Sequence, residues 1–80
     1  MTVTVRLFAF YAESLGRSSV ELDMPEGATV GDVVRSVASL PGAAVLPASP
    51  LVALNASYAT SQTAISDGDE VAIIPPVAGG

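Results

Sequence analysis

Cysteine, histidine, lysine and tryptophan are all missing from this 80-residue sequence. Without cysteine and histidine there is no thiolate nucleophile, no imidazole base, no thiolate or imidazole zinc site and no disulfide framework. Without lysine, the nine serines lack the remaining common base that would activate one of them. Any chemistry must therefore run through carboxylates or the chain terminus. Positive charge is equally scarce: Arg6, Arg17 and Arg35 stand against eight acids, giving a net charge of −5 and a pI near 4.1. Binding to free nucleic acid needs a basic face and is not expected. The complement of such a surface is a basic protein partner, and the charge also keeps a small apolar-rich chain in solution. Long hydrophobic runs are absent as well. The longest, from Leu7 to Ala12, has six residues, against the roughly 20 of a membrane-spanning helix. No basic region leads into a continuous apolar stretch, so no signal peptide is expected and a cytoplasmic location follows by default.

What is present is half apolar and only 14% charged, which separates the chain from disordered sequences. Its length holds one small domain, with no room for an enzyme's deep cleft. Val3, Val5, Leu7 and Ala9 recur at every second position, the period of a half-buried strand. Tyr11 to Leu15 fits one helical turn stopped by Gly16, and Val20, Leu22 and Met24 alternate with Glu21 and Asp23 as a second strand. The short connection makes an antiparallel pair the economical arrangement. Thr29 caps a helix with Asp32 at its third position, close to a capping box, and Val30, Val33, Val34 and Val37 line one face until Pro41-Gly42 ends it.

Ala43 to Pro50 reads as a loop. Leu51 to Leu54 is a third strand closed by Asn55, and Tyr58 to Thr63 holds a brief edge strand. Ile65 is a lone apolar anchor, Asp67-Gly68-Asp69 a turn, and Val71 to Ile74 the last strand. Pro75-Pro76 cannot donate ladder hydrogen bonds, so the chain leaves the sheet there. The expected class is α+β, one main helix covering a mixed sheet, with a domain over residues 1–76 and a flexible tail over 77–80. The expected core is Val3, Val5, Leu7, Val20, Leu22, Val30, Val33, Val34, Val37, Val52, Leu54, Val71 and Ile73.

The run from Asp67 through Val71-Ala72-Ile73-Ile74-Pro75-Pro76 to Val77-Ala78-Gly79-Gly80 places a turn, a strand, a double proline and a bare Gly-Gly ending in succession. It resembles the ending of the small subunit of molybdopterin synthase, the MoaD family of ubiquitin-like sulfur carriers. Phe8-Ala9, Glu13, Leu15-Gly16 and Val52 to Asn55 resemble the family upstream, so the resemblance covers nearly the whole chain. It departs at Ala12, where many relatives carry a basic residue. The resemblance implies the β-grasp fold.

By the same resemblance, the Gly80 carboxylate is adenylated by an ATP-dependent, ubiquitin-activator-like enzyme and converted to a thiocarboxylate with sulfur from a donor protein. That sulfur is delivered to a pyranopterin precursor held by the large synthase subunit, in an assembly of two small and two large subunits. The small subunit is thus expected to be a sulfurtransferase component that binds no cofactor itself; ATP belongs to the activating enzyme. Carriers for thiazole or cysteine synthesis also end in Gly-Gly, and a ubiquitin-like module that docks noncovalently is the alternative of a different class. The missing lysine excludes ordinary lysine-linked chains built on this protein.

The chemistry of the tail can be reasoned from the residues. A carboxylate is a poor electrophile and needs conversion to an acyl adenylate before sulfur can attack it. Gly79 and Gly80 lack Cβ and allow a narrow approach to the reacting carbonyl. Val77 to Gly80 spans about 13 Å when extended, at roughly 3.3 Å per residue, enough to enter a partner's pocket. Strand alternation turns Phe8 and Ile74 away from the core, so Phe8, Phe10 and Ile74, with Pro75, Pro76, Val77 and Ala78, are the expected partner-binding residues. Asp67, Asp69 and Glu70 read as solvated turn residues, and no metal site is expected.

Overall fold

The computed structural model describes residues 1–76. Its elements, in order, are β1 (Thr2–Leu7), α1 (Ala9–Leu15), β2 (Ser19–Asp23), α2 (Val30–Ala38), a 3-10 turn (Ala43–Val45), β3 (Leu51–Leu54), β4 (Ser57–Ala59) and β5 (Glu70–Ile74). The five strands form one sheet in the order β2-β1-β5-β3-β4. β1 pairs antiparallel with β2 and parallel with β5, in the register Thr4 to Glu70 and Arg6 to Ala72. β3 lies antiparallel to β5 on the other side. A mixed sheet with the first and last strands side by side, covered by a helix, is the β-grasp architecture.

The alternation in β1 does what its period requires: Val3, Val5 and Leu7 are buried, while Arg6 is exposed. Val71 and Ile73 of β5 and Val52 of β3 face the same way and meet Val30, Val33 and Val37 of α2 in one core. Each fully buried valine contributes about 1.5–2 kcal/mol of transfer free energy, which offsets valine's poor helix propensity in α2. The start of α2 is a complete capping box. The Thr29 side chain accepts from the Asp32 backbone N–H, and the Asp32 carboxylate accepts from the Thr29 N–H at 2.9 Å.

Several expectations are corrected. Ala9 does not continue the strand; it opens α1 with a φ of 49°, so the helix begins two residues before Tyr11. The Tyr11 ring then enters the core as one of its largest fully buried side chains. α2 stops at Ala38, ahead of Pro41-Gly42, because the Ser39 N–H and hydroxyl both turn back onto the Ser36 carbonyl. The stretch expected as a loop from Ala43 begins with a 3-10 turn whose Ala43 is buried. The edge strand lies at Ser57–Ala59, earlier than 58–63, because Asn55 and Ala56 make a two-residue hairpin turn with positive φ at both positions. Leu22, Val34 and Leu54 are half-buried, and Tyr11, Met24, Ala28, Ala43, Ala53 and Ile65 join the buried set.

Candidate functional site

β5 sits in the interior of the sheet, hydrogen-bonded to β1 on one edge and β3 on the other. Its period sends Val71 and Ile73 into the core and leaves Ala72 and Ile74 on the face that no helix covers. Pairing stops after Ile74, where Pro75-Pro76 supplies no N–H. Pro75 is half-buried and Pro76 exposed. Val77, Ala78, Gly79 and Gly80, expected to carry the chemistry and part of the partner contact, lie outside the described residues.

On the open face the register aligns Arg6, Ala72, Ala53 and Tyr58 in one row across β1, β5, β3 and β4. Small side chains in the middle of this row leave a hollow of about 600 Å³. Phe8 and Tyr58 flank it, Ala53 and Ala72 form its floor, and Ile74 and Pro75 close it at the end of β5; Ala56 and Glu70 complete the lining. Phe8 is 43% exposed and Tyr58 76%, large values for aromatic side chains. At the polar end, Arg6 Nη1 and Glu70 Oε2 are 3.4 Å apart, a half-exposed pair of little energetic weight.

Of the sequence-predicted partner residues, the structure brings Phe8, Ile74 and Pro75 together in this hollow. Phe10 is not among its lining residues: α1 carries it away, and its ring packs edge-to-face on Tyr11 with centroids 4.7 Å apart. Pro76 stands exposed beyond the rim. Tyr58 and Ala56 were not anticipated. The signal was nonetheless in the pattern, since an outward Ala53 with a two-residue turn at Asn55-Ala56 places Tyr58 directly opposite it. A second hollow of about 430 Å³ lies between α2 and the β3–β4 hairpin, lined by Val30, Val34, Arg35 and Ser61 among others, and shares no residue with the first.

The turn preceding β5 is held by carboxylates. The Asp67 Oδ1 accepts from the Thr2 N–H at 2.7 Å, fastening the turn to the start of β1. The Asp69 carboxyl is held below the usual aspartate range, first by the Asn55 side-chain amide and then by the Ser66 N–H. Asp32 is lowered too, chiefly by the Thr29 N–H, with burial opposing and the Arg35 guanidinium assisting. All three acids serve backbone geometry. Among the described residues no group of three or more Asp, Glu, His or Cys could hold a metal ion, and no helix is long and apolar enough to cross a membrane.

Comparison with known proteins places this geometry. The chain is 34% identical over 79 residues to the molybdopterin synthase sulfur carrier subunit of Arabidopsis thaliana, covering 98% of this chain and 82% of that protein. It is 33% identical over 92 residues to small archaeal modifier protein 3 of Haloferax volcanii, with both chains covered completely. The crystal structure of the Haloferax volcanii modifier SAMP1 superposes with a TM-score of 0.87 at 31% identity, again over the whole of both chains. The ThiS family model matches residues 5–80. With that span and these relatives, the chain belongs to the ThiS family of ubiquitin-like sulfur carriers.

Proposed function

We propose that this chain is the sulfur carrier subunit of a molybdopterin synthase. The observation that carries the reading is the hand-over at the end of β5: an interior strand delivers Pro75-Pro76 at the rim of an apolar hollow, and Val77-Ala78-Gly79-Gly80 follows directly. The name of the Arabidopsis thaliana relative supports the same assignment.

In this reading the Gly80 carboxylate attacks the α-phosphorus of ATP in the active site of a ubiquitin-activator-like enzyme, releasing pyrophosphate and leaving an acyl adenylate. A persulfide of a donor protein then attacks the acyl carbon and displaces AMP to give an acyl disulfide, and a thiolate attacks the donor-side sulfur, forming a disulfide with the donor and releasing the thiocarboxylate. The large subunit holds the pyranopterin precursor and provides cationic and acid–base groups, which this chain lacks in lysine and histidine. Two sulfur deliveries build the dithiolene. The small chain contributes the nucleophilic sulfur and its aim, with the hollow around Phe8, Tyr58 and Ile74 docking on both the activating enzyme and the large subunit. Two small and two large subunits make the assembly, in the cytoplasm, with residues 1–76 as the docking domain.

Intact mass of the chain produced together with its activating enzyme tests the first half; exchange of one oxygen for sulfur is expected, and a chain that stays unmodified refutes the carrier role. Addition of large subunit and pyranopterin precursor tests the second half, with formation of the dithiolene product expected. The modifier relatives favour one other reading, in which the same carboxyl is joined to an amine of another protein. Thiocarboxylate without dithiolene product would favour that reading or a carrier for thiazole or cysteine synthesis.

A further inference from the structure

The open face of the sheet is complementary to itself about a midline. Across β1, β5, β3 and β4 the register sets Arg6, Ala72, Ala53 and Tyr58 in line, a cation and an aromatic ring on the flanks with two methyl groups between them. The midpoint falls between β5 and β3. Two residues along β5, Ile74 and Leu51 stand level on either side of the same midline, both apolar, and Leu51 is exposed. Half a turn about an axis running along the strands above this midline lays a second copy face to face on the first. Arg6 then meets Tyr58 of the other copy, Ala72 meets Ala53 and Ile74 meets Leu51, and the symmetry makes each contact twice. An axis across the strands instead sets Arg6 on Arg6 and Tyr58 on Tyr58, and brings Ile74 over Glu70, which lies two residues to the other side of Ala72. The complementarity therefore selects one arrangement, the aligned packing of twisted sheets whose strands cross at about 30°.

We propose that the open face pairs with a second copy of this chain, the Tyr58 ring of each entering the hollow of the other. The small Ala53 and Ala72 leave room for it. A planar guanidinium can keep Glu70 at its edge while its face takes the ring. The row is about 14 Å wide, three gaps of about 4.8 Å. A face of that width buries less than the roughly 800 Å² per partner of a standard complex, so the pair is transient and forms in concentrated solution. Each copy carries a net charge of −5, and the repulsion between copies is relieved as salt is added. Pairing covers the hollow. On the reading that the hollow docks the large subunit and the activating enzyme, from which this consequence follows, copies made in excess mask one another's docking face.

The test needs neither enzyme nor large subunit. Sedimentation velocity of the unaltered chain, from micromolar to millimolar concentration, is expected to show a dimer that grows with concentration and with added salt. Tyr58→Ala is expected to raise the dimer dissociation constant about tenfold, because the twofold removes two ring–guanidinium contacts at once. Tyr58→Phe keeps the ring and is expected to pair like the unaltered chain. The sequence has no cysteine, so single cysteine variants report geometry without background. Arg6→Cys mixed with Tyr58→Cys, and treated with a short bis-maleimide, is expected to give the cross-link between positions 6 and 58 faster than either variant links to itself. In that mixed pair one native Arg6–Tyr58 contact survives, and like positions are farther apart by the width of the row. A chain that stays monomeric at millimolar concentration overturns the proposal, as do links of 6 to 6 and 58 to 58 in preference to 6 to 58. Either result leaves the carrier reading standing, since the mass experiment above decides that separately. A large subunit that binds the dimer without dissociating it overturns the masking.

Discussion

Asn55 and Glu70 hold each other from both sides. The Asn55 backbone N–H donates to the Glu70 carbonyl at 2.8 Å, and the Glu70 N–H donates to Asn55 Oδ1 at 2.9 Å. The Asn55 amide nitrogen then reaches Asp69 Oδ1, also at 2.9 Å. One side chain thus ties the β3–β4 turn to the start of β5, the strand that leads to Pro75-Pro76. Asn55→Ala loses both side-chain bonds and is expected to lower stability by about 1–2 kcal/mol, read by urea melts. Asp67→Asn keeps its acceptor for Thr2 and is expected to be near neutral. Asp69→Asn is expected to lower the melting temperature, because one of its two oxygens becomes a second amide nitrogen facing a donor. Sulfur transfer should survive in every folded variant of this turn.

Acid should weaken the fold through the same groups. Asp69 and Asp32 hold their protons less tightly folded than unfolded. Their contribution is therefore complete above the ordinary aspartate value of about 4 and is lost as pH falls through the lower folded values. Urea melts from about pH 5 down to about pH 2 should show declining stability, with a shallower decline in Asp69→Asn. Stability that is flat or rises over that window would contradict the assignment.

Ala56 carries a φ of 71° in the hairpin turn, a position where glycine has no steric cost. Ala56→Gly is expected to stabilise the fold by about 1 kcal/mol by relieving the left-handed strain. The Ala56 side of the hollow loses a methyl group in the exchange, so affinity for the large subunit should not improve. A thermal melt and a calorimetric titration of the same protein separate the two effects.

Phe8→Ser and Ile74→Asp should each weaken binding to the large subunit by more than about 1 kcal/mol, the usual threshold for an anchoring residue. Tyr58→Ala belongs to the same class. Exposure of Phe8 and Tyr58 implies a much smaller effect on the free chain. Phe10→Ser, whose ring packs on Tyr11 away from the hollow, should spare binding relative to Phe8→Ser. Unchanged affinity in Phe8→Ser, Ile74→Asp and Tyr58→Ala would place the docking surface elsewhere.

Deleting Gly80, or extending the chain beyond it, should abolish ATP–pyrophosphate exchange with the activating enzyme while the melting temperature stays put. Gly79→Ala should be milder but still slower, since its Cβ crowds the reacting carbonyl. Normal exchange by the deletion variant would remove Gly80 from the chemistry.

Period and capping carried most of the legible structure. The two-residue repeat from Val3 to Leu7 and the Thr29–Asp32 box each specify local geometry and burial together, so strand and helix emerged where expected. Elements fixed by single contacts were harder to see. Tyr11 is buried from a helix of only seven residues, too short to display a periodic face, and its core position depends on Ala9 turning the chain sharply. Ala43 to Val45 has no apolar pattern, and its turn follows from the packing of Gly42 against Ser14, whose hydroxyl donates to the Gly42 carbonyl at 2.7 Å. At the site, alternation brought Phe8 and Ile74 to one face, whereas Phe10 required knowing where β1 ends. Tyr58 required the turn type at Asn55-Ala56.

The interior position of β5 also governs when the protein can exist. β1 is synthesised first and β5 last, yet they are sheet neighbours, and β3 reaches β1 only through β5. Contacts of such sequence separation form late and slowly, and here they are unavailable until the ribosome has passed Ile74. A nascent chain stalled short of that point presents neither a closed sheet nor the hollow. Completion of β5 thereby closes the sheet and forms the hollow in one step, because the same strand supplies the partner of β1 and β3 and, through Ala72 and Ile74, part of the hollow's lining.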